Sequence, residues 1–405
     1  MAYFNPQRPS YIADPYPALA RLRAEAPVFY SEPHEAWIVT SYGECLALLH
    51  DDETYASDPA HSTGRVGERI RHQREGQVLG DTPRIGQSDA SVHARLRGAV
   101  AAAFTPRYVE GVRGFVEREV IALLDGVLRA DEPFDVLNEF GALLPRAVIG
   151  VQLGAPEADR AQILAWATAL MQTVNADLTP ARRTEAEAAR DGLLGYLGRV
   201  GRGEAGDPES LIAAMARAEG DAGRLTGAEL LALTIDVALA GNDTTANLIG
   251  NGVIALASHP AEEARLRVEP DWETAVDEML RYDPPQQVIA RFTTRPTILR
   301  GKRIPAGATV LAHVAAANRD PVTFPEPERF DVARRGERHL SFGMGVHHCV
   351  GAPLAKIEAE AAFRALFERL TMLRPAPGMA FPRGPDWMLR SAGAVPLLTG
   401  ELFRG

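Results

Sequence analysis

Apolar residues recur along most of the chain at helical rather than strand spacing. Phe363, Leu366, Phe367 and Leu370 stand at i, i+3, i+4 and i+7 and give one apolar stripe to a helix over 352–370. Residues 229–258 read as a single helix of about 30 residues, ~45 Å long at about 1.5 Å per residue. The charged, alanine-rich segment 181–200 reads as another helix. Strand patterns are short and local. Residues 37–40 form one, and the segments 288–294 and 309–313 flank the turn Pro305-Ala306-Gly307. The charged, glycine-containing segments 58–87 and 201–208 read as loops, because neither separates self-contained sets of elements. The expected fold is mainly α with small β-sheets, in one domain over residues 1–405.

Composition then narrows the function. With 46% hydrophobic and 24% charged residues, the 405-residue chain can bury a large core. Its net charge of −10 has the wrong sign for a nucleic-acid binder. Lys302 and Lys356 are the only lysines, so a Schiff-base enzyme has two places for its amine. Pro6, Pro9, Pro15 and Pro17 interrupt the N-terminus, which lacks the apolar region of a secretory signal. The most apolar stretch, 230–241, contains Asp236 and runs into Asn242 and Asp243, well short of the ~20 residues of a membrane span. No membrane association and a cytoplasmic location are expected. Gly201-Arg202-Gly203-Glu204-Ala205-Gly206 has the letters of a dinucleotide fingerprint, but a helix-like segment precedes it where a buried strand is required.

The two cysteines, Cys45 and Cys349, are too few for a disulfide framework or a four-cysteine metal site. Cys45, among Gly43, Leu46 and Leu48, reads as packing. Cys349 lies in Phe342-Gly343-Met344-Gly345-Val346-His347-His348-Cys349-Val350-Gly351, directly before the helix over 352–370. Glycine lets backbone lie close to a flat ligand, and a helix start stabilises a thiolate. Zinc on His347, His348 and Cys349 is an alternative, although adjacent residues converge poorly on a tetrahedral ion.

This loop closely resembles the haem-binding loop of the cytochrome P-450 superfamily, whose cysteine thiolate is the proximal ligand of haem iron. Further family motifs are present. Glu278-Met279-Leu280-Arg281 resembles the E-x-x-R helix, and Pro327-Glu328-Arg329-Phe330 the segment whose arginine completes an ion-pair triad with it. The resemblance makes Glu278, Arg281 and Arg329 structural support for the loop. His93 and Arg97, at i and i+4, resemble haem-propionate residues, and Arg291 and His347 fit the same role. Asp89-Ala90-Ser91-Val92-His93 departs from the pattern in lacking its usual proline. Phe342, Gly343 and Gly351 complete the cofactor-binding set around Cys349, the one metal ligand. The resemblance runs from about Asp14-Pro15-Tyr16 to the last strands near Pro396, and implies haem between the long helix and the helix that follows the cysteine.

Ala240-Gly241-Asn242-Asp243-Thr244-Thr245 puts mostly weak helix formers in the middle of the long helix. A threonine hydroxyl there can bond the carbonyl four residues back and bend the helix. The segment resembles the family's acid–alcohol motif, in which Asp243 and Thr244 relay protons to dioxygen. The resemblance implies haem b (iron protoporphyrin IX) as cofactor, O2 as co-substrate, and a monooxygenase that inserts one oxygen atom into a small or medium, largely apolar organic molecule. The pocket is then drawn from 58–89, 164–173, 235–241, 286–289 and 391–394, with Ile235, Leu239, Ala240, Gln287, Val288 and Ile289 as candidate wall residues.

The chain carries no flavin or nicotinamide fingerprint and cannot ligate an iron–sulfur cluster with one remaining cysteine. NAD(P)H therefore acts only through a reductase. The expected partner is a ferredoxin or flavodoxin, steered by Arg334, Arg335, Arg338, Lys356 and Arg364, and the expected state is a monomer. A peroxide-driven haem-thiolate peroxygenase and a non-catalytic haem- or ligand-binding protein are the alternatives.

Overall fold

The computed structural model describes residues 4–75, 78–101, 104–129, 132–171, 179–220, 223–376 and 381–399. It is mainly α with small β-sheets. The long helix runs Gly227–Ser258, and a capping box starts it. The Thr226 hydroxyl accepts the Glu229 N–H, and the Glu229 carboxylate accepts the Thr226 N–H at 2.8 Å. Arg95, on helix Ala90–Ala101, donates to both oxygens of the same carboxylate at 2.8 and 2.5 Å, tying the two helices together.

The main core lies where the long helix meets helices Pro106–Val127, Trp272–Tyr282 and Ala352–Arg369. Val116, Val120 and Leu124, Ile249 and Val253, and Phe363 and Leu366 fill it. Gly252 marks the closest approach: a Cβ there would lie 2.5 Å from a Phe363 ring carbon and 2.7 Å from the Met279 sulfur. Only a residue without a side chain lets three helices meet this closely. A second cluster packs helices Glu157–Met171 and Pro180–Gly201 beneath the first half of the long helix.

The largest sheet has five strands, in the order Val28–Ser31, Ala36–Val39, Thr309–Ala312, Ile289–Thr293 and Tyr55–Ala56. Ala36–Val39 pairs in parallel with Thr309–Ala312, with Ala36 opposite Thr309, and the other pairs are antiparallel. The strands expected from sequence are found within a residue or two of their limits. Cys45 is fully buried on helix Tyr42–His50, and its thiol donates to the Val39 carbonyl at 3.3 Å.

One segment differs from expectation. Residues 58–87 are not simply a loop: they include helix Gly64–Glu75 and single turns at Pro59–His61 and Ile85–Gln87. Arg65, Glu68, Arg69 and Arg71 are good helix formers but exposed, so the helix shows almost no apolar stripe in sequence. Residues 202–208 are irregular, and the glycine triplet begins at Gly201, the last residue of helix Pro180–Gly201. No helix among the described residues is long and apolar enough to cross a membrane.

Candidate active site

The cysteine loop closes on itself, with the Cys349 N–H donating to the Phe342 carbonyl at 2.9 Å. Gly343 and Gly345 have φ of +66° and +71°. A Cβ on Gly345 would sit 2.5 Å from the Leu49 carbonyl oxygen, so loop and helix Tyr42–His50 touch only because this residue is glycine. Cys349 is an exposed residue that lines a cavity of ≈390 Å³. Burial pushes its thiol up, while the amides of Gly351 and Ala352 and the charge of Arg97 pull it back. Those amides open helix Ala352–Arg369.

The long helix forms the facing wall through Asp236, Val237, Ala240, Gly241 and Thr244. The Thr244 hydroxyl donates to the Ala240 carbonyl at 2.8 Å, the back-bond expected from sequence. Asp243 is exposed beside it, outside the cavity wall, with no bonded partner among the described residues.

A third wall gathers nitrogen-bearing side chains. His93 and Arg291 are buried, Arg291 and His347 line the cavity, and the His93 and His347 rings lie 3.9 Å apart. Burial, then the nearby His93, Arg291 and Arg97, holds the His347 imidazole down to about 3. Burial lowers Arg291 to about 10, and among the described residues its guanidinium donates only to the neighbouring Ala290 carbonyl, at 2.9 Å. Asp89 and Asp52 act on Arg291 and His93 from nearby, and this crowd of donors is matched to a ligand bearing two carboxylates. His348 turns away, accepting from Arg338 at 2.7 Å, so the two adjacent imidazoles do not converge with Cys349 on one ion. Ala90, in the segment that lacks the proline, has φ +47°, and Asp89 accepts the Ser57 and Asp58 N–H groups at 2.7 and 3.0 Å.

Behind the loop, Glu278 accepts from Arg281 at 2.6 and 2.9 Å and from the Asp331 N–H at 2.9 Å. Its third partner is not Arg329. Arg334 approaches Glu278 at 3.3 Å, with its side chain 15% exposed. The Arg329 guanidinium is 53% exposed, 3.6 Å from Glu326 and 3.9 Å from Asp331, and only its carbonyl accepts from Arg281. The motif places an arginine in the right segment, but the chain turns so that a residue five positions later points inward.

The pocket expectation needs a similar correction. Ala240 and Ile289 line the cavity, whereas Ile235, Leu239, Gln287 and Val288 do not. At 100° per residue, 236, 237, 240, 241 and 244 share one stripe of the long helix, and Ile235 and Leu239 face the second core cluster. Val288 is in the core, and the Gln287 amide is bonded to the Pro284 carbonyl at 2.6 Å. Ile85 and Gly86 are the contribution of 58–89, and 391–394 lie elsewhere. Residues 172 and 173, within the expected 164–173 stretch, lie outside the described residues, and the rest of that stretch is not in the wall.

Among the polar groups that the cavity holds, sequence reasoning missed Gln152 and Glu358, while Asp236 fell inside the expected 235–241 stretch but was given no role. Glu358 is 2% exposed, one of its oxygens has no partner among the described residues, and burial raises its carboxyl to about 8. It falls on the stripe of helix Ala352–Arg369 that Leu354 and Ala355 bring to the cavity, and that helical spacing was the available signal. Of the basic residues expected to steer an electron donor, Arg334 is held by Glu278, Arg335 pairs with Asp271 at 2.8 Å and Lys356 with Asp277 at 2.5 Å.

Comparison with known proteins places these features in a family. A family model described as Cytochrome P-450 matches residues 204–383. The chain is 40% identical over 397 residues to the cytochrome P-450 monooxygenase PikC of Streptomyces venezuelae, covering 96% of this chain and 91% of that protein. It is 36% identical over 381 residues to the 6-deoxyerythronolide B hydroxylase of Saccharopolyspora erythraea, covering 90% of each. Among solved structures, the Bacillus subtilis bacillaene polyketide synthase cytochrome P-450 PksS superposes with a TM-score of 0.85 at 30% identity, over 98% of this chain and 100% of that one.

Proposed function

The chain belongs to the cytochrome P-450 family and is a haem-thiolate monooxygenase, and on that premise we propose how its residues divide the work. Haem b, when bound, supplies the iron at which dioxygen is reduced and one oxygen atom is passed to a substrate. Cys349 is the thiolate that holds the iron, and the amides of Gly351 and Ala352 stabilise its anionic form. His93, Arg97, Arg291 and His347 hold the two propionates. Phe342, Gly343 and Gly351 let the loop backbone lie against the macrocycle. Residues 1–405 act as one domain around that cofactor.

Thr244 presents a hydroxyl in the cavity wall, and Asp243 stands exposed one residue earlier. This arrangement suits a proton path: Asp243 exchanges with solvent, and Thr244 hands the proton on inside a largely apolar space. The substrate is a small or medium, largely apolar molecule held against Ala240, Gly241 and Ile289. Electrons come from a separate ferredoxin or flavodoxin with its reductase. Its docking face is the cysteine side, where Val346 is exposed in the loop and Arg338 beside it. Glu278, Arg281 and Arg334 support the loop from behind.

What carries the assignment is the meeting of Cys349 and Thr244 on facing walls of one cavity. The dithionite-reduced protein with carbon monoxide should absorb near the wavelength for which the family is named, and Cys349→Ser should remove that band while Cys45→Ser keeps it. With a ferredoxin and reductase supplying electrons, Thr244→Ala should divert oxygen consumption toward hydrogen peroxide. A wild-type band at a histidine-like position would overturn the ligand assignment, and unchanged coupling in Thr244→Ala would overturn the proton path.

A further inference from the structure

Most of the cavity wall is apolar, and besides Thr244, Thr245, Gln286, Ser341 and Glu358 its polar groups include two further sets. The basic cluster around Arg291 and His347 is accounted for by two propionates, which are the polar groups of haem itself. Gln152 and Asp236 are not accounted for. Gln152, the last residue of helix Leu143–Gln152, is 1% exposed, lines the cavity, and has no hydrogen-bond partner for its amide nitrogen among the described residues. Buried amides of this kind are nearly always paired, and leaving one unpaired costs stability. A partner is therefore expected among the molecules the cavity takes up.

Asp236 also lines the cavity. The Arg84 guanidinium donates two N–H groups to its Oδ1, the Nε–H at 2.8 Å, and the Ile85 N–H reaches Oδ2 at 3.3 Å. Its charge is thus already neutralised, while Oδ2 keeps acceptor capacity. A cationic substrate would have to compete with Arg84. An uncharged hydroxyl need not.

Both groups sit at the end of the cavity away from the oxygen chemistry. Asp236 precedes Thr244 by a little over two turns of the long helix, ~12 Å at about 1.5 Å per residue. Gly141 packs against Ala246 and Ile249 of that helix, and Ile149 against Gly241. Helix Leu143–Gln152 therefore runs antiparallel to it, and its last turn brings Gln152 level with about Ala238, within a turn of Asp236.

Resting on the monooxygenase reading of this cavity, we propose that Gln152 and Asp236 form a polar subsite. It selects uncharged, largely apolar substrates bearing one oxygen that accepts from the Gln152 amide and one hydroxyl that donates to the Asp236 carboxylate. The apolar remainder of the substrate then extends toward Thr244 and Cys349, so the oxygens already present fix which carbon is presented for reaction.

The test uses ferric holoenzyme and four probes of equal carbon number: a medium-chain hydroxy-ketone, the matching ketone, the matching alcohol and the parent alkane. The low-to-high spin change of the haem gives each Kd. Wild type should bind the hydroxy-ketone about tenfold or more tighter than the alkane, as expected when buried polar groups gain or lack partners. Gln152→Leu should erase the preference for the ketone, keep alkane binding, and melt at a higher temperature because the unpaired amide is gone. The paired variant Arg84→Leu/Asp236→Leu should erase the preference for the alcohol. Binding of all four probes within threefold in wild type, binding of none, a ketone preference that survives Gln152→Leu, or a lowered melting temperature in that variant each overturns the proposal. The reduced carbon-monoxide band, recorded on the same preparations, separates the two layers. If it is absent, the haem-thiolate reading fails; if it is present with unselective probe binding, the subsite alone fails.

Discussion

Arg334→Ala and Arg329→Ala make a sharp pair of perturbations, because motif spacing favours Arg329 as the partner of Glu278 and geometry favours Arg334. The Glu278 side chain is 1% exposed, and Arg334 reaches it at 3.3 Å while also donating to the carbonyls of Pro325, Glu326 and Arg329 at 2.7, 3.1 and 3.0 Å. Losing a hydrogen bond to a charged group costs about 1.5–3 kcal/mol. The carbonyls lie toward the exposed edge and regain water. Glu278 keeps both bonds from Arg281, so the loss stays below the 3–5 kcal/mol of a buried carboxylate left unpaired. Arg334→Ala should therefore cost about 2–3 kcal/mol. With unfolding entropy of about 2.1 cal/mol/K per residue over a chain of this length, Tm should fall by about 3 °C. The Arg329 guanidinium has only exposed contacts at 3.6 and 3.9 Å, worth under about 0.5 kcal/mol, so Arg329→Ala should shift Tm by less than about 1 °C. Thermal melts of the two holoenzymes decide it. Equal shifts, or a larger one for Arg329→Ala, would refute the reasoning.

Two further outcomes follow from particular contacts. Gly345→Ala places a methyl group where only 2.5 Å separates it from the Leu49 carbonyl oxygen, at φ +71°; the loop must shift, and the ratio of haem to protein absorbance should drop with a stability loss of about 2 kcal/mol or more. The Arg95 guanidinium holds the Glu229 carboxyl down to about 2 from an ordinary 4.5, so its stabilisation is present above about pH 4.5 and is lost as pH falls toward 2. Denaturant titrations should show Glu229→Gln less stable than wild type by about 2 kcal/mol at pH 7, and the gap should narrow at pH 3; a gap independent of pH would remove Arg95–Glu229 as its cause.

The features legible in the sequence are those whose chemistry leaves little choice of residue. The loop ending in Cys349 needs glycines where the backbone is left-handed, and the long helix announces itself by its length and by the weak formers around Thr244. Less legible were features decided by rotation. Ile235 and Leu239 sit in the right turns of the right helix but on the wrong side of it, since one residue's step is 100°. Arg329 and Arg334 differ by how an irregular segment turns, which local pattern does not encode. Helix Gly64–Glu75 escaped because its charged residues face water and little apolar periodicity remains. Gln152 ends a helix that packs on Gly241, and neither its burial nor its missing partner leaves a mark on the neighbouring sequence.

The parallel pairing of Ala36–Val39 with Thr309–Ala312 has a kinetic meaning. The first of these strands leaves the ribosome early and can pair at once with Val28–Ser31, but its other edge stays open until most of the chain has been made. Closing so long a loop is slow, because its entropy is spent before the contacts that reward it can form. The cavity, whose walls are drawn from Ile85 through to Glu358, cannot take shape any sooner. Cofactor capture is thus a late step of biogenesis, and a chain halted before Thr309 presents an unpaired strand edge in place of a partly built enzyme.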